Sequence, residues 1–204
     1  LLLEKNLSLS LPELIELARA QFLQKDVQEK ANATAIYEFI IDRLRAYLRD
    51  QSVAGKPFTS AEIDAVLSQE PTHINDLIQR LTALREFNAL PESAQLAAAN
   101  KRISNILKKT TTPIPATCSI KLLQVPAETG LHKALENIIP ALNTAYEKRQ
   151  FVAFLKELVA LSAPIDQFFV DVMVMDPNAE LRDNRLALLQ QLHQKMNRVA
   201  DLGK

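Results

Sequence analysis

Three glycines in 204 residues, at positions 55, 130 and 203, set the tightest limit on what this chain folds into. Phosphate-binding loops of the Walker or dinucleotide type need glycines close together, because backbone amides must approach the phosphates. Glycines spaced this widely exclude them. Scarce glycine beside abundant Leu, Ala, Glu, Lys and Gln favours helix throughout. With 48% of its residues hydrophobic, the chain can bury a core as one large domain or two small ones. The expected fold class is all-α, a helical bundle.

The apolar spacing supports that reading. Ser10-Leu11-Pro12-Glu13 reads as a helix start with Ser10 as N-cap, followed by Leu14, Leu17, Ala18 and Phe22 at helical spacing. A second helix is predicted from about Ala31 to Arg49. Ile36, Phe39, Ile40, Leu44, Tyr47 and Leu48 form its apolar face; Glu38, Asp42, Arg45 and Arg49 form the other. Gly55-Lys56-Pro57 breaks the pattern. Thr59 to Glu62 opens a short helix carrying Ile63, Val66 and Leu67, and Pro71-Thr72 ends it. A helix with Ile74, Leu77, Ile78, Leu81 and Leu84 inward comes next. Pro91 suits the first turn of a helix reaching Lys109, with Leu96, Ile103, Ile106 and Leu107 inward. Residues 110–126, with Pro113, Pro115 and Pro126, form an irregular loop too long for an ordinary connector. Helices are then predicted over 131–146, 151–161 and 181–202. The run Phe168 to Met175 fits a strand or a buried helix by composition. With no second strand nearby to pair with it, it reads as a buried helix.

Lys+Arg and Asp+Glu are both 24, so the formal net charge is zero. Phosphate binders usually carry a basic excess, although a local patch is compatible with neutrality. The single Cys118 excludes an internal disulfide and a cysteine-based zinc site, which fits a reducing, cytoplasmic setting. No apolar run reaches the roughly 18 residues of a membrane span, and no signal-peptide pattern opens the chain. A start at Leu1, inside an apolar stretch, reads as part of something longer. His73, His132 and His193 lie far apart, and no pair has the spacing that places two imidazoles on one helix face. Asp64, Asp76 and Asp166 read as solvated surface positions. No catalytic or metal-binding residue is expected.

Two basic groups carry the functional reading. In Asn100-Lys101-Arg102…Asn105…Lys108-Lys109, the helical wheel puts Lys101, Asn105 and Lys108 on one exposed face, flanked by Arg102 and Lys109. Lys108 and Lys109 also complement the helix dipole. That account does not reach Asn100, Lys101 or Asn105. Amides beside cations suit single-stranded RNA, where cations meet phosphates and amides meet base edges. Arg182 and Arg185 share one side of the last helix near its N-terminus, where the dipole opposes them. A buried carboxylate such as Asp171 or Asp176, or an RNA phosphate, would offset that. Arg182 reads as structural and Arg185 as open. Arg45 and Arg49 lie on the outer face of the second helix, where a solvated surface explains them and a secondary RNA contact stays open.

Two stretches, AAANKRISNILKK at 97–109 and VMVMDPNAELRDNRLALLQQL at 172–192, resemble the DALR anticodon-binding domain. More specifically they are similar to the C-terminal region of the β subunit family of bacterial two-chain glycyl-tRNA synthetases. Phe39, Arg43, Arg45 and Tyr47 match a basic helix of that family. Val199 to Lys204 departs from its usual VADISLLQ ending. The resemblance implies a helical N-terminal segment over 1–90 and the DALR domain over 91–204. It implies part of an ATP-dependent ligase with no catalytic residues in this segment. ATP and Mg²⁺ would be used by the partner α subunit, and no cofactor is expected here. The partners implied are the anticodon stem-loop of glycine tRNA and the α subunit, with no membrane. The RNA-contact candidates are Asn100, Lys101, Arg102, Asn105, Lys108, Arg185 and Arg45. The competing reading is an all-α protein-interaction module docking on a partner subunit. Convergence of the basic residues on one surface would favour RNA; an exposed apolar patch would favour the module.

Overall fold

A computed structural model describes residues 1–21 and 32–204. The expected inward residue Phe22 and the expected helix start at Ala31 lie outside the described residues. Among the described residues the chain is all-α apart from one hairpin of two-residue strands, and it divides into two compact units, Leu1–Thr82 and Ala83–Lys204.

In the first unit, α1 (Leu11–Ala20) starts where the sequence places it, with the Ser10 hydroxyl accepting the Glu13 amide at 3.4 Å. α2 (Ala33–Arg49) packs on α1 and on α3 (Ser60–Leu67). The α2–α3 connection is the hairpin β1 (Ser52–Val53) with β2 (Lys56–Pro57), turned by Ala54 and Gly55 at positive φ. Thr59 and Glu62 form a full capping box on α3. Three expectations fail here. On α1 the buried residues are Leu11 and Ile15, while Leu17 and Ala18 of the expected apolar set are exposed. Phe39 is 61% exposed instead of lying on the buried face of α2, and Arg43 stacks over its ring at 5.2 Å. Asp76 is buried, not solvated, because Arg80 one turn later forms a two-point ion pair with it at 2.9 and 3.2 Å.

α4 (Leu77–Asn88) carries the chain from the first unit into the second. In the second unit, α5 (Ser93–Lys109) packs on α8 (Ser162–Asp171) and α9 (Ala179–Met196). α6 (Pro126–Glu147) packs on α7 (Phe151–Glu157) and α8. Its core contains Leu96, Ile103, Leu131, Leu135, Phe154, Phe168, Leu188 and Leu192, all almost fully buried. α6 begins at Pro126, five residues before the expected Leu131. Pro126 occupies the first turn, where a missing N–H costs nothing, and Glu128 reaches back to accept the Gln124 and Val125 amides at 2.6 and 2.8 Å. α9 ends at Met196 rather than at 202; Val199, Ala200 and Leu202 are buried in the non-helical tail beyond it.

The run Phe168 to Met175 is not one helix. α8 stops at Asp171, where Val172 turns extended, and Val172 to Met175 form a non-helical strap that bends at Val174 and Met175. Val172 and Val174 are buried while Met173 and Met175 are exposed. Among the described residues no strand pairs with it. The Arg185 side chain satisfies the Met173 carbonyl instead, at 3.0 Å.

Candidate nucleic-acid interface

α5 contains Lys101, Arg102, Lys108 and Lys109 and no acidic residue. All four cations are exposed, as is Asn105. None of the four has an ion-pair partner among the described residues. Lys101, Arg102, Asn105 and Lys109 line one shallow concavity of about 410 Å³ together with Ala98 and Ile106. The helix is oriented by Leu96 and Ile103, which are fully buried, while Leu107 is half-buried. The Arg102 guanidinium lies 4.0 Å above the centre of the Phe169 ring on α8. Further back on the same two helices, the Gln95 amide donates to Asp166. A stack of this kind holds the guanidinium plane in place and leaves its in-plane donors available.

Asn100 does not belong to this face. It is 0% exposed and forms a reciprocal amide pair with Asn197, at 2.8 and 2.9 Å, with a third bond to Asp201. The pair joins α5 to the tail after α9, and its polar atoms satisfy one another away from water. Gly203 lies so close that an added Cβ would sit 3.4 Å from the Asn100 amide nitrogen. Asn100→Ala, which strands the Asn197 amide, is expected to lower stability by about 1–3 kcal/mol in urea unfolding. A variant as stable as the parent would return Asn100 to the solvent-facing set.

Arg185 is also withdrawn from the surface, at 4% exposure. Its Nε donates to Glu128, and its Nη1 donates to the Asp176 carboxylate at 2.6 Å and to the Met173 carbonyl. Of the partners open to it, a buried carboxylate is the one present. Asp176 was a named candidate; Glu128 was missed. The Val125-Pro126-Ala127-Glu128 order, proline at the first turn and glutamate at the third position, was the signal that could have found it. The Asn178 amide, which donates to Asp176 at 2.8 Å, and Arg185 hold that carboxyl below the usual carboxylate range. Burial works against the Arg185 charge, but Glu128 and Asp176 outweigh it and raise its pKa. Arg182 sits half-buried beside Asp183.

Arg45, in the first unit, is half-buried and paired with Asp64 and, at 3.9 Å, with Asp42. Asp64 stays 43% exposed in this pair, at the surface position expected of it. The 110–125 loop is fastened by Asn184, whose side chain accepts the Ser119 amide at 2.6 Å and donates to the Ser119 carbonyl at 3.0 Å. Beside it, burial pushes the Cys118 thiol up to about 11, the nearby Glu128 charge adding to the shift and a hydrogen bond with Asn184 opposing it.

Residues 96–202 match the family model of the DALR anticodon binding domain. The chain belongs to that family. The DALR domain therefore covers α5, α6, α7, α8 and α9, and both the basic face and the Arg185 network fall inside it. Over its whole length the chain is 45% identical to proteins named glycine–tRNA ligase beta subunit from Ralstonia nicotianae and from Dechloromonas aromatica. It is 44% identical to the one from Leptothrix cholodnii. It spans 28% of the length of each of these relatives. No helix among the described residues is long and apolar enough to cross a membrane.

Proposed function

We propose that this chain is the tRNA-gripping part of a glycine–tRNA ligase β subunit and holds the anticodon stem-loop of glycine tRNA while a partner α subunit performs the ATP- and Mg²⁺-dependent charging. The acid-free face of α5 carries this reading: four exposed cations and Asn105 on one helix of a DALR anticodon binding domain. Lys101, Lys108 and Lys109 meet phosphates, which fix position without reading sequence. Asn105 offers both a donor and an acceptor to the edge of an unpaired base. Asn100 and Arg185 act from behind, the first by fixing α5 and the second by fixing the strap. Arg45, engaged by two carboxylates, is at most a peripheral contact. The segment itself contributes grip and no bond-making group, and the protein works in the cytoplasm, where charged tRNA is consumed.

A second reading, docking on the partner subunit, draws on one observation: Val170, Met173 and Met175 are exposed apolar side chains close together in the chain. The two readings separate by titrating labelled glycine-tRNA anticodon stem-loop into the full chain at two salt concentrations. Lys101→Ala/Arg102→Ala is expected to weaken binding roughly 10- to 100-fold and to reduce the salt slope by about one to two. Binding that the double variant leaves unchanged, in a protein shown to be folded, would transfer the assignment to subunit docking.

A further inference from the structure

The strap Val172–Asp176 combines two properties that seldom occur together. Its backbone is fixed from beneath: Arg185 holds the Met173 carbonyl and the Asp176 carboxylate, Asp176 accepts the Asn178 amide, and Val172 and Val174 are anchored in the core. Its outward side chains are nevertheless apolar, with Met173 62% and Met175 57% exposed, and Val170 at the end of α8 is 79% exposed. Three exposed apolar side chains this close in the chain, on a held backbone, suit a contact surface. The ledge joins the basic face through one contact. Phe169, next to Val170 in the chain and four residues before Met173, rests edge-on against buried Phe168 and carries Arg102 over its ring.

We propose that Val170, Met173 and Met175 form a ledge on which unpaired bases of a bound RNA loop pack, while the phosphates of the same loop run along α5. This rests on the RNA-binding reading above and names what part of the RNA the second surface takes. Charge selects the occupant. A purely apolar partner has no use for four unpaired cations on the adjoining helix, whereas a single strand presents flat apolar rings and a regular row of negative charge together. A duplex hides its rings inside the stack and does not satisfy the ledge. Methionine suits the task because its unbranched thioether adapts to a ring of any outline and contacts aromatic edges favourably. The ledge therefore adds affinity for unpaired bases with little choice among them, leaving selection to Asn105 and its neighbours.

The test compares the full chain with Met173→Ser/Met175→Ser and Lys101→Ala/Arg102→Ala. Each is titrated with the labelled anticodon stem-loop and with a fully paired RNA duplex of equal length. The methionine pair is expected to weaken stem-loop binding roughly 5- to 50-fold, with duplex binding and the salt slope unchanged. Its thermal midpoint should stay at the parent value, because both side chains are at the surface. Stem-loop affinity equal to the parent's would overturn the ledge while leaving the α5 reading intact. An equal loss on duplex would overturn it too, since unpaired bases would not be what it holds. A parent chain that binds neither RNA at low salt would remove both readings. Intact RNA binding with lost assembly onto a partner subunit would reassign the ledge to protein contact.

Discussion

Arg185→Ala is expected to destabilise the DALR unit by about 3–5 kcal/mol, because it leaves the enclosed Glu128 carboxyl without its counter-charge. For a unit of this size that corresponds to a fall in Tm on the order of 10–20 °C. The loss comes from three places at once. Glu128 keeps the Gln124 and Val125 amides but loses its cation, the Met173 carbonyl loses the Arg185 guanidinium, and Asp176 loses one of the hydrogen bonds that hold its charge. Arg185→Met/Glu128→Gln should recover much of the loss, since a neutral amide still accepts the two helix-start N–H groups and the enclosed position carries no charge; Asp176, 21% exposed, is left to the Asn178 amide and water. Thermal and urea unfolding of the three proteins decide the matter. A single variant that loses less than about 1 kcal/mol would mean that water reaches Glu128 and that the enclosure described above is not maintained.

Phe168→Ala should cost about 3–5 kcal/mol, the usual penalty for emptying the space of a fully buried phenyl ring. Its neighbour Phe169 should behave differently although the residue is the same. Phe169 is half-buried and its ring supports Arg102, so Phe169→Ala should cost a fraction of that stability and instead release the guanidinium from its fixed plane. Urea unfolding of the two variants side by side checks the contrast. Similar losses would mean that Phe169 is core and that the Arg102 stack is incidental to its packing.

The adjacent phenylalanines also indicate where sequence reasoning succeeds. Helical periodicity marks Leu96 and Ile103 as inward and thereby turns Lys101, Asn105 and Lys108 outward, and that much is local information. It does not show that Asn100, a polar residue among cations, lies under the tail that returns 97 positions later to place Asn197 against it. Arg185 was ambiguous for the same reason. A cation near a helix start requires an anion, but Glu128 is 57 positions away and only the tertiary fold brings it close. Phe39 failed in the opposite sense: the spacing is apolar, yet the ring stays exposed and is covered by Arg43. The Phe168–Met175 run defeated the pairing argument. The lack of a neighbouring strand favours helix in the sequence, whereas the structure has a non-helical strap with a side chain, not a strand, on one of its backbone carbonyls. For Asn100 and Arg185, what the sequence leaves illegible is a partner distant along the chain.

The four unanswered cations of α5 belong to a molecule whose charges sum to zero, with a pI near 7.0. Seen from afar such a chain exerts almost no pull on a polyanion; its attraction is that of a dipole and fades within about 8 Å at physiological ionic strength. On the RNA-binding reading proposed above, the pull of α5 on a polyanion is therefore confined to close approach, which trades capture radius for local selectivity.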